Sequence, residues 1–482
     1  MNRPSKSRWH LAAALPLALA VACTVGPDHV PPVAAVPAAF HEKDAMLTAA
    51  PAELASWWKQ LHDPLLDQLV ERAIRNNLDL EEALARVLEA RALRGLAQAE
   101  YLPTADARAG YQRLGESENT PLGGFAVDSD RFTVGVDAAW ELDLWGRVRR
   151  SVEAADADLD ARVEVARDVL VAVVADVAAN YVHLRELQER IAIARNNVGL
   201  QEQTQNLVDA RFASGLVGER DTAQARRNLA STRSHIPSLE AAQRTAENRL
   251  AVLLGVAPGE LSAEFDGTRP IPVPPPEVAV GVPADVVRQR PDVRAAEREL
   301  AAQTARIGIA EADLYPRLAL FGSVGLEAEH LPDLFEDASS VLAVGPSLRW
   351  NLFDAGRVRR QIAAQDARAQ QALVQWRRTV LAALEQAENA MTAFVREQTR
   401  RTHLAEAATQ ARRAVQFASA QYTEGLTDFQ NVLDSERESA DLEDQLAQSR
   451  AAITGNLIAL YRALGGGWEN AMPLGNRAGE TP

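Results

Sequence analysis

The sequence predicts a mostly α-helical chain that is internally duplicated, with a β-hairpin and a very long helix in each half. Residues 146–212 contain no proline and one internal glycine, Gly199, and their apolar side chains recur at steps of three and four. This spacing is typical of one stripe on an α-helix, here roughly 100 Å long at ~1.5 Å per residue. Residues 356–422 show the same pattern. Two pairs of segments that alternate apolar and polar side chains predict the hairpins.

A fixed offset relates the two halves of the chain. Residues 78–103 match residues 291–316 at an offset of 213, and from Val134 onward the offset is 210. The segment Gly146-Arg-Val-Arg-Arg150 recurs as Gly356-Arg-Val-Arg-Arg360. Each half therefore predicts a short helix, two strands, a very long helix, a Gly-Leu break and a return helix, which indicates duplication of one structural unit.

Composition and the N-terminus indicate an exported protein. A basic start and an apolar run from Leu11 to Val21 predict a signal peptide that ends before Cys23, the single cysteine. Small residues before this cysteine resemble a bacterial lipoprotein signal, although Ala20 stands where leucine is usual; the alternative is an ordinary signal with an incidental cysteine. The formal charge of −15 disfavours nucleic-acid binding.

No apolar run after Val21 is long enough for a membrane-spanning helix, so any crossing requires β-strands. The four alternating segments are each about ten residues long, as transmembrane strands are. Four strands cannot close a barrel, so several chains would have to pool them. Trp140 and Trp350 follow the alternating segments and suit an aromatic belt at one membrane interface. The alternative is a half-exposed sheet in a soluble protein.

These motifs together resemble the TolC family of outer-membrane efflux factors, specifically its lipoprotein branch with OprM- and NodT-like members. The resemblance covers residues 23–467. The motifs that carry it are Cys23-Thr-Val-Gly-Pro-Asp28, Trp57-Trp58, Asp63-Pro64-Leu65-Leu66, Asn77-Leu78-Asp79-Leu80, Tyr315-Pro316, the paired Gly-Arg-Val-Arg-Arg segments and Tyr422-x-x-Gly425-Leu426.

The resemblance implies a homotrimer with a 12-stranded β-barrel in the bacterial outer membrane, continued by a 12-helix periplasmic tunnel. It implies a passive exit duct of a tripartite efflux pump, whose partners are a periplasmic adaptor protein and an inner-membrane transporter of the resistance-nodulation-division type. Outer-membrane lipids would surround the barrel. Cys23 would carry a diacylglycerol and an N-acyl chain, and no other cofactor is expected.

Repeat and resemblance together divide the chain into six segments. These are a signal peptide (1–22), a lipidated leader with an equatorial helix (23–77), repeat 1 (78–266), a proline-rich equatorial linker (267–290), repeat 2 (291–465) and a tail (466–482). Repeat 1 contains a hairpin (104–141), a long helix (146–213) and a return helix (219–254); repeat 2 contains a hairpin (317–352), a long helix (356–422) and a return helix (427–464). Within the leader segment, the apolar pattern predicts one helix from about Glu53 to Ala73.

The Gly-Leu breaks carry the main interaction hypothesis. Glycine there permits the left-handed backbone that ends a helix, which alone would explain Gly215 and Gly425. In the resembled family these turns form the periplasmic tip where the adaptor docks, so Gly215, Leu216, Gly425 and Leu426 are candidate contacts.

Acidic residues follow both breaks and are candidate gate residues. Asp221 lies near the first break, and Asp428 and Asp434 near the second. Acids at a helix start are favoured by the helix dipole. In a threefold assembly each would form a ring of three negative charges, as the resembled family has at its closed tip, and Asp428 best matches that position.

The sequence shows no motif of an enzyme. The eight histidines are scattered without metal-ligand spacing, and no phosphate-binding glycine loop or nucleophile elbow is present. The alternative to an efflux duct is a periplasmic coiled-coil lipoprotein without a pore, with a structural or adaptor role. The exported compound and the partner pump cannot be read from the sequence.

Overall fold

The computed structural model describes residues 24–115, 129–267 and 269–469. The predicted signal peptide, the predicted lipid attachment site Cys23 and most of the predicted tail lie outside the described residues. The helices are α1 (Pro64–Asn76), α2 (Leu78–Ala99), α3 (Arg147–Ala213), α4 (Glu219–Leu253), α5 (Pro283–Gln289), α6 (Pro291–Ala312), α7 (Arg357–Thr423) and α8 (Phe429–Ala463). The strands are β1 (Leu47–Thr48), β2 (Thr104–Leu114), β3 (Ser129–Leu142), β4 (Val278–Ala279), β5 (Arg317–Ala328) and β6 (Ser340–Arg349).

The predicted fold class is confirmed. Helices α3 and α7 have 67 residues each, α4 and α8 have 35 each, and α2 and α6 have 22 each. The two halves also start their long helices alike. Gly146 and Gly356 both have φ +82, and the carboxylates of Asp143 and Asp354 accept hydrogen bonds from the backbone N–H of Val148 and Val358. The repeated sequence thus encodes a repeated helix start.

The four long strands form one antiparallel sheet in the order β2-β3-β5-β6. The two hairpins meet along β3 and β5, where Gly135 pairs with Gly325. A Cβ on Gly135 would lie 2.7 Å from the carbonyl oxygen of Val324, so the backbones approach too closely for a side chain. Strands β2 and β6 lie at the two edges. Among the helices of the described residues, none combines the length and apolar character needed to cross a membrane.

The chain folds into two compact units that are each discontinuous in sequence. Of the described residues, one unit comprises 24–33, 87–115, 129–162 and 296–376, and contains the four-stranded sheet. The other comprises 34–86, 163–267, 269–295 and 377–469, and contains both Gly-Leu breaks. The predicted division into six segments describes the order along the chain and stays a prediction.

In the unit with the sheet, Arg150 holds the leader. Its side chain is 3% exposed and donates hydrogen bonds to the carbonyl oxygens of Val25 (3.0 Å) and Gly26 (3.0 Å) and to Asp28 (2.8 Å). A Cβ on Gly26 would lie 2.4 Å from the Cα of Gly308 in α6. The leader is therefore fixed immediately after the predicted lipid attachment site.

Replacing Arg150 by alanine is expected to free the leader. Each hydrogen bond lost from the buried guanidinium is worth ~1.5–3 kcal/mol. The bond to Asp28 contributes less than this, because its carboxylate is exposed to solvent. Limited proteolysis of the purified protein should then cut residues 24–30 much faster than in the wild type. Arg162→Ala changes an exposed arginine and serves as the control. Equal cleavage of both variants would contradict the role of Arg150.

In the other unit, the prediction of one helix from about Glu53 to Ala73 is wrong. A 3₁₀ helix covers Trp57–Leu61, His62 has φ +51, and α1 begins only at Pro64. Proline cannot continue a helix but suits its first position, and Asp63 caps α1 by accepting hydrogen bonds from the backbone N–H of Leu65 and Leu66. The 3₁₀ segment is core, since the Trp57 ring stacks on Tyr461 at 5.3 Å.

Candidate functional site at the helical tips

Each long helix turns into its return helix through a short tip, which we call the first tip (residues 214–218) and the second tip (residues 424–428). At the first tip Gly215 has φ +70, and the backbone N–H of Leu216 donates to the carbonyl oxygen of Arg211 (2.9 Å). At the second tip Gly425 has φ +76, and the backbone N–H of Leu426 donates to Gln421 (2.8 Å). Left-handed glycine followed by such a bond is the glycine cap that ends helices. Capping alone accounts for both glycines.

The tip leucines are not explained by capping. Leu216 is 67% exposed and Leu426 is 77% exposed. Just behind the tips, an apolar cluster that includes Val208, Tyr422, Phe429 and Leu433 is buried. Since the cluster is complete without them, the two leucines contribute little to the folded chain. They are free to contact another molecule.

Arg211 links the ends of the two long helices, α3 and α7, just before the tips. The sequence analysis did not identify this residue. From the last turn of α3, its guanidinium donates to the carbonyl oxygens of Tyr422 (2.6 Å) and Thr423 (3.2 Å) at the end of α7 and lies 4.6 Å from the Tyr422 ring centre. Burial raises the pKa of Tyr422. The one available signal was a departure from the repeat, since Gln421 occupies the position equivalent to Arg211.

Replacing Arg211 by alanine is expected to loosen the tips from each other. The substitution removes two charge-assisted hydrogen bonds and a cation–π contact, together worth at least ~2 kcal/mol, or roughly a 30-fold rise in local opening. Hydrogen–deuterium exchange should therefore accelerate in residues 211–216 and 422–426. Arg220→Ala, at an exposed position beside the first tip, is the control. Unchanged exchange in the Arg211 variant would show that the link does not hold the tips.

The predicted gate residues lie close to the tips. Asp428 is the N-cap of α8, and its exposed carboxylate accepts a hydrogen bond from the backbone N–H of Asn431 (3.3 Å). Asp434 is also exposed and accepts from Gln430 (2.8 Å). Asp221 lies half-buried in the first turn of α4. Gly218 occupies the N-cap position of α4 and provides no side-chain cap. Helix capping therefore explains in part why an aspartate occupies position 428. The negative charge of this carboxylate remains exposed to solvent.

The predicted belt tryptophans have equivalent environments. Trp140 Nε1 donates to the carbonyl oxygen of Tyr101 (2.9 Å), and Trp350 Nε1 donates to that of Leu314 (3.0 Å). Both rings remain partly exposed. An indole with its N–H bonded and its ring exposed is suited to an apolar surrounding.

The sequence profile of the family described as outer membrane efflux protein matches residues 69–256 and 282–466. The chain belongs to the outer membrane efflux protein family. The two matched ranges correspond to the two sequence repeats. The resemblance found from the motifs is thereby confirmed, and so are the outer-membrane location and the role in efflux.

Relatives match the chain over nearly its full length. It is 31% identical over 463 residues to nodulation protein T of Rhizobium leguminosarum bv. viciae, covering 95% of this chain and 93% of that one. It is 32% identical over 425 residues to the pyoverdine export outer membrane protein OpmQ of Pseudomonas putida, covering 86% and 89%. These relatives support the family assignment along the whole length.

Solved outer-membrane channels have the same fold. The outer-membrane channel OprN matches with a TM-score of 0.87 and 37% identity, over 92% of this chain and 100% of that chain. The MtrE outer membrane channel of Neisseria gonorrhoeae matches with a TM-score of 0.79 and 28% identity, over 92% and 99%. These members of the fold are channel proteins. Within the described residues of the present chain, no three metal-binding side chains cluster.

Proposed function

We propose that three copies of the chain assemble into the passive exit duct of a tripartite efflux pump. The observation that carries this proposal is the open four-stranded sheet. Strands β2 and β6 each have one edge without a partner in the described part of the chain. Such edges pair with other strands unless they are protected. Joining β6 of one copy to β2 of the next in threefold symmetry closes a barrel of twelve strands.

The surface of β6 supports a lipid-facing barrel. Leu342, Val344 and Leu348 alternate along the strand and are all highly exposed in the single chain. Ala343, Ser347 and Arg349 alternate with them on the other face. An apolar outer face and a more polar inner face are what a membrane barrel requires. Trp140 and Trp350 then lie at the membrane interface as an aromatic belt.

Assembly and conduction are tested together on the purified protein. Extraction should require detergent, the particle mass should be three times that of the mature chain, and planar bilayers should show single channels. A monomer that stays dissolved without detergent would overturn the trimeric duct. A detergent-extracted trimer without conductance would favour the alternative of a periplasmic lipoprotein without a pore.

The tips are the proposed docking site of a periplasmic adaptor protein, through Gly215, Leu216, Gly425 and Leu426. Leucine exposure at both tips supports this role. The adaptor would connect the duct to an inner-membrane transporter of the resistance-nodulation-division type. Asp221, Asp428 and Asp434 are proposed to form acidic rings at the tunnel mouth, which would favour cations over anions.

The proposed membrane anchor is a lipidated Cys23 with a diacylglycerol and an N-acyl chain. The clamp of Arg150 on Val25 and Gly26 supports this role, because it fixes the residues that follow the cysteine. Acyl chains contribute ~0.8 kcal/mol per buried CH₂, enough for firm anchoring when several are present. We propose no catalytic activity and no other cofactor.

The names of relatives support a duct that does not itself select its cargo. One relative is a pyoverdine export protein and another, 28% identical, is the toluene efflux pump outer membrane protein TtgF of Pseudomonas putida. These cargoes differ greatly in size and polarity, although both relatives resemble this chain to a similar extent. Growth of a deletion strain across antibiotics, dyes and metals would identify the cargo here.

A further inference from the structure

A cavity of about 400 Å³ lies among α3, α7 and α8, behind the tips. Its lining includes Gln201 and Thr204 from α3, Tyr422 from α7 and Glu436 from α8. None of these positions was singled out for docking or gating. The cavity is far larger than the ~30 Å³ that one water molecule occupies in the liquid. It can therefore hold a small organic molecule.

Glu436 is the charged group of the cavity. Its side chain is 9% exposed and accepts a hydrogen bond from Thr204 Oγ1 (2.6 Å). Burial raises its pKa against the opposing effect of the Thr204 hydrogen bond, and Glu436 has no ion pair within the described residues. A buried carboxylate without a cation is costly. The cavity thus contains a site at which a positive charge would be stabilised.

Two polar atoms of other residues that line the cavity lack partners among the described residues. One is Oε1 of Gln201, whose side chain is only 5% exposed, and the other is the hydroxyl of buried Tyr422. Buried polar atoms normally have a hydrogen-bond partner. The Gln201 oxygen and the Glu436 carboxylate are both acceptors, so the unmet need on this lining is for N–H donors.

The remaining lining defines the rest of the ligand. Leu200, Leu207, Val415 and Val432 supply an apolar wall. Arg412 and Glu443 also line the cavity and lie 3.7 Å apart, so their charges offset each other. Glu436 therefore gives the lining of the cavity a net charge of about −1. A ligand that fits carries one positive charge with N–H donors and a short hydrocarbon chain.

We propose that this cavity binds a small primary alkylammonium ion, with its ammonium group on Glu436 and Gln201 and its alkyl chain on the apolar wall. The site goes beyond the proposed exit duct, because it lies between helices of one chain and does not depend on cargo passing through a tunnel. A bare metal ion would leave most of the cavity unfilled. A quaternary ammonium ion would leave the Gln201 oxygen without a donor.

Isothermal titration calorimetry of the full-length protein in detergent with n-butylammonium chloride tests the site. The wild type should bind, and Glu436→Gln should bind at least tenfold more weakly because the shape is kept and the charge is lost. Gln201→Leu should bind severalfold more weakly. Glu438→Gln, which neutralises an exposed carboxylate on the same helix, should bind like the wild type. Tetramethylammonium should bind at least tenfold more weakly than n-butylammonium.

The pH dependence gives a second measurement. Because Glu436 must be ionised to hold the cation, wild-type affinity should fall as pH decreases through its raised pKa. The weak binding of Glu436→Gln should not change over that range. Absence of n-butylammonium binding by the wild type, or equal binding by wild type and Glu436→Gln, would overturn the proposal. If Glu436→Gln does not fold, undiminished binding by Gln201→Leu would overturn it.

Discussion

Replacing both tip leucines by aspartate, Leu216→Asp with Leu426→Asp, is expected to reduce efflux to the level of a strain without the gene. The two side chains are the exposed apolar groups of the tips, where an adaptor would remove them from water. A buried, unpaired carboxylate at each position would cost at least ~2 kcal/mol, or about 30-fold in affinity per site. The measurement is the minimum inhibitory concentration of an identified cargo in a complemented deletion strain.

The double substitution should not change the properties of the isolated protein. Because the leucines lie outside the apolar cluster behind the tips, the variant should keep its oligomeric mass, its melting temperature and its single-channel conductance. The matched control is Val273→Asp, which places an aspartate at a 73% exposed apolar position outside both tips. Wild-type efflux by the double variant would show that the tips are not the docking site.

Gly425 can separate helix capping from adaptor contact. Alanine at φ +76 is strained by ~1 kcal/mol, whereas asparagine tolerates the left-handed conformation. There is room for a side chain, because an added Cβ would meet only Arg211 Nη2, at 3.9 Å. If Gly425 serves as a cap alone, Gly425→Asn should export like the wild type. If an adaptor packs against the bare glycine, both variants should fail.

Elements determined by local periodicity could be predicted well from the sequence. The long helix expected over residues 146–213 is observed as Arg147–Ala213, since 67 residues of one apolar period leave little ambiguity. The strands followed from alternation, but their register did not. Phe132 pairs with Ala328, nearly 200 residues away, and such pairing depends on how two hairpins meet.

The repeat could not predict which of two equivalent residues contacts a segment that occurs only once in the chain. Arg150 and Arg360 occupy the same place in identical Gly-Arg-Val-Arg-Arg segments, yet Arg150 is buried and Arg360 is exposed. The difference arises because the leader exists once, and its residues Val25, Gly26 and Asp28 accept hydrogen bonds from Arg150. Glu436 was hidden for another reason, because it lies in a charge-rich stretch that looks like a solvated helix face.

The acidic residues show how two physical roles can share one side chain. Asp428 caps α8, whereas α4 begins after Gly218 without a side-chain cap and still forms a helix of the same length. A cap is therefore not indispensable at this turn. The carboxylate of Asp428 remains exposed, where three copies around a tunnel axis would add their charges. Capping and gating make different demands on the residue, which substitution can separate.

Asp428→Ala is expected to raise single-channel conductance in planar bilayers severalfold, because it removes the bulk and charge of the proposed acidic ring at the tunnel mouth. It also removes the cap, at a cost of ~1 kcal/mol.

Asp428→Asn keeps the size of the side chain and the helix cap and removes only the charge, since asparagine caps as well as aspartate. The asparagine variant should therefore keep a conductance near that of the wild type but lose preference for cations over anions. Asp434→Ala is the matched variant for an acid outside the cap. Wild-type conductance and selectivity in both Asp428 variants would remove this residue from the gate and leave capping as its role.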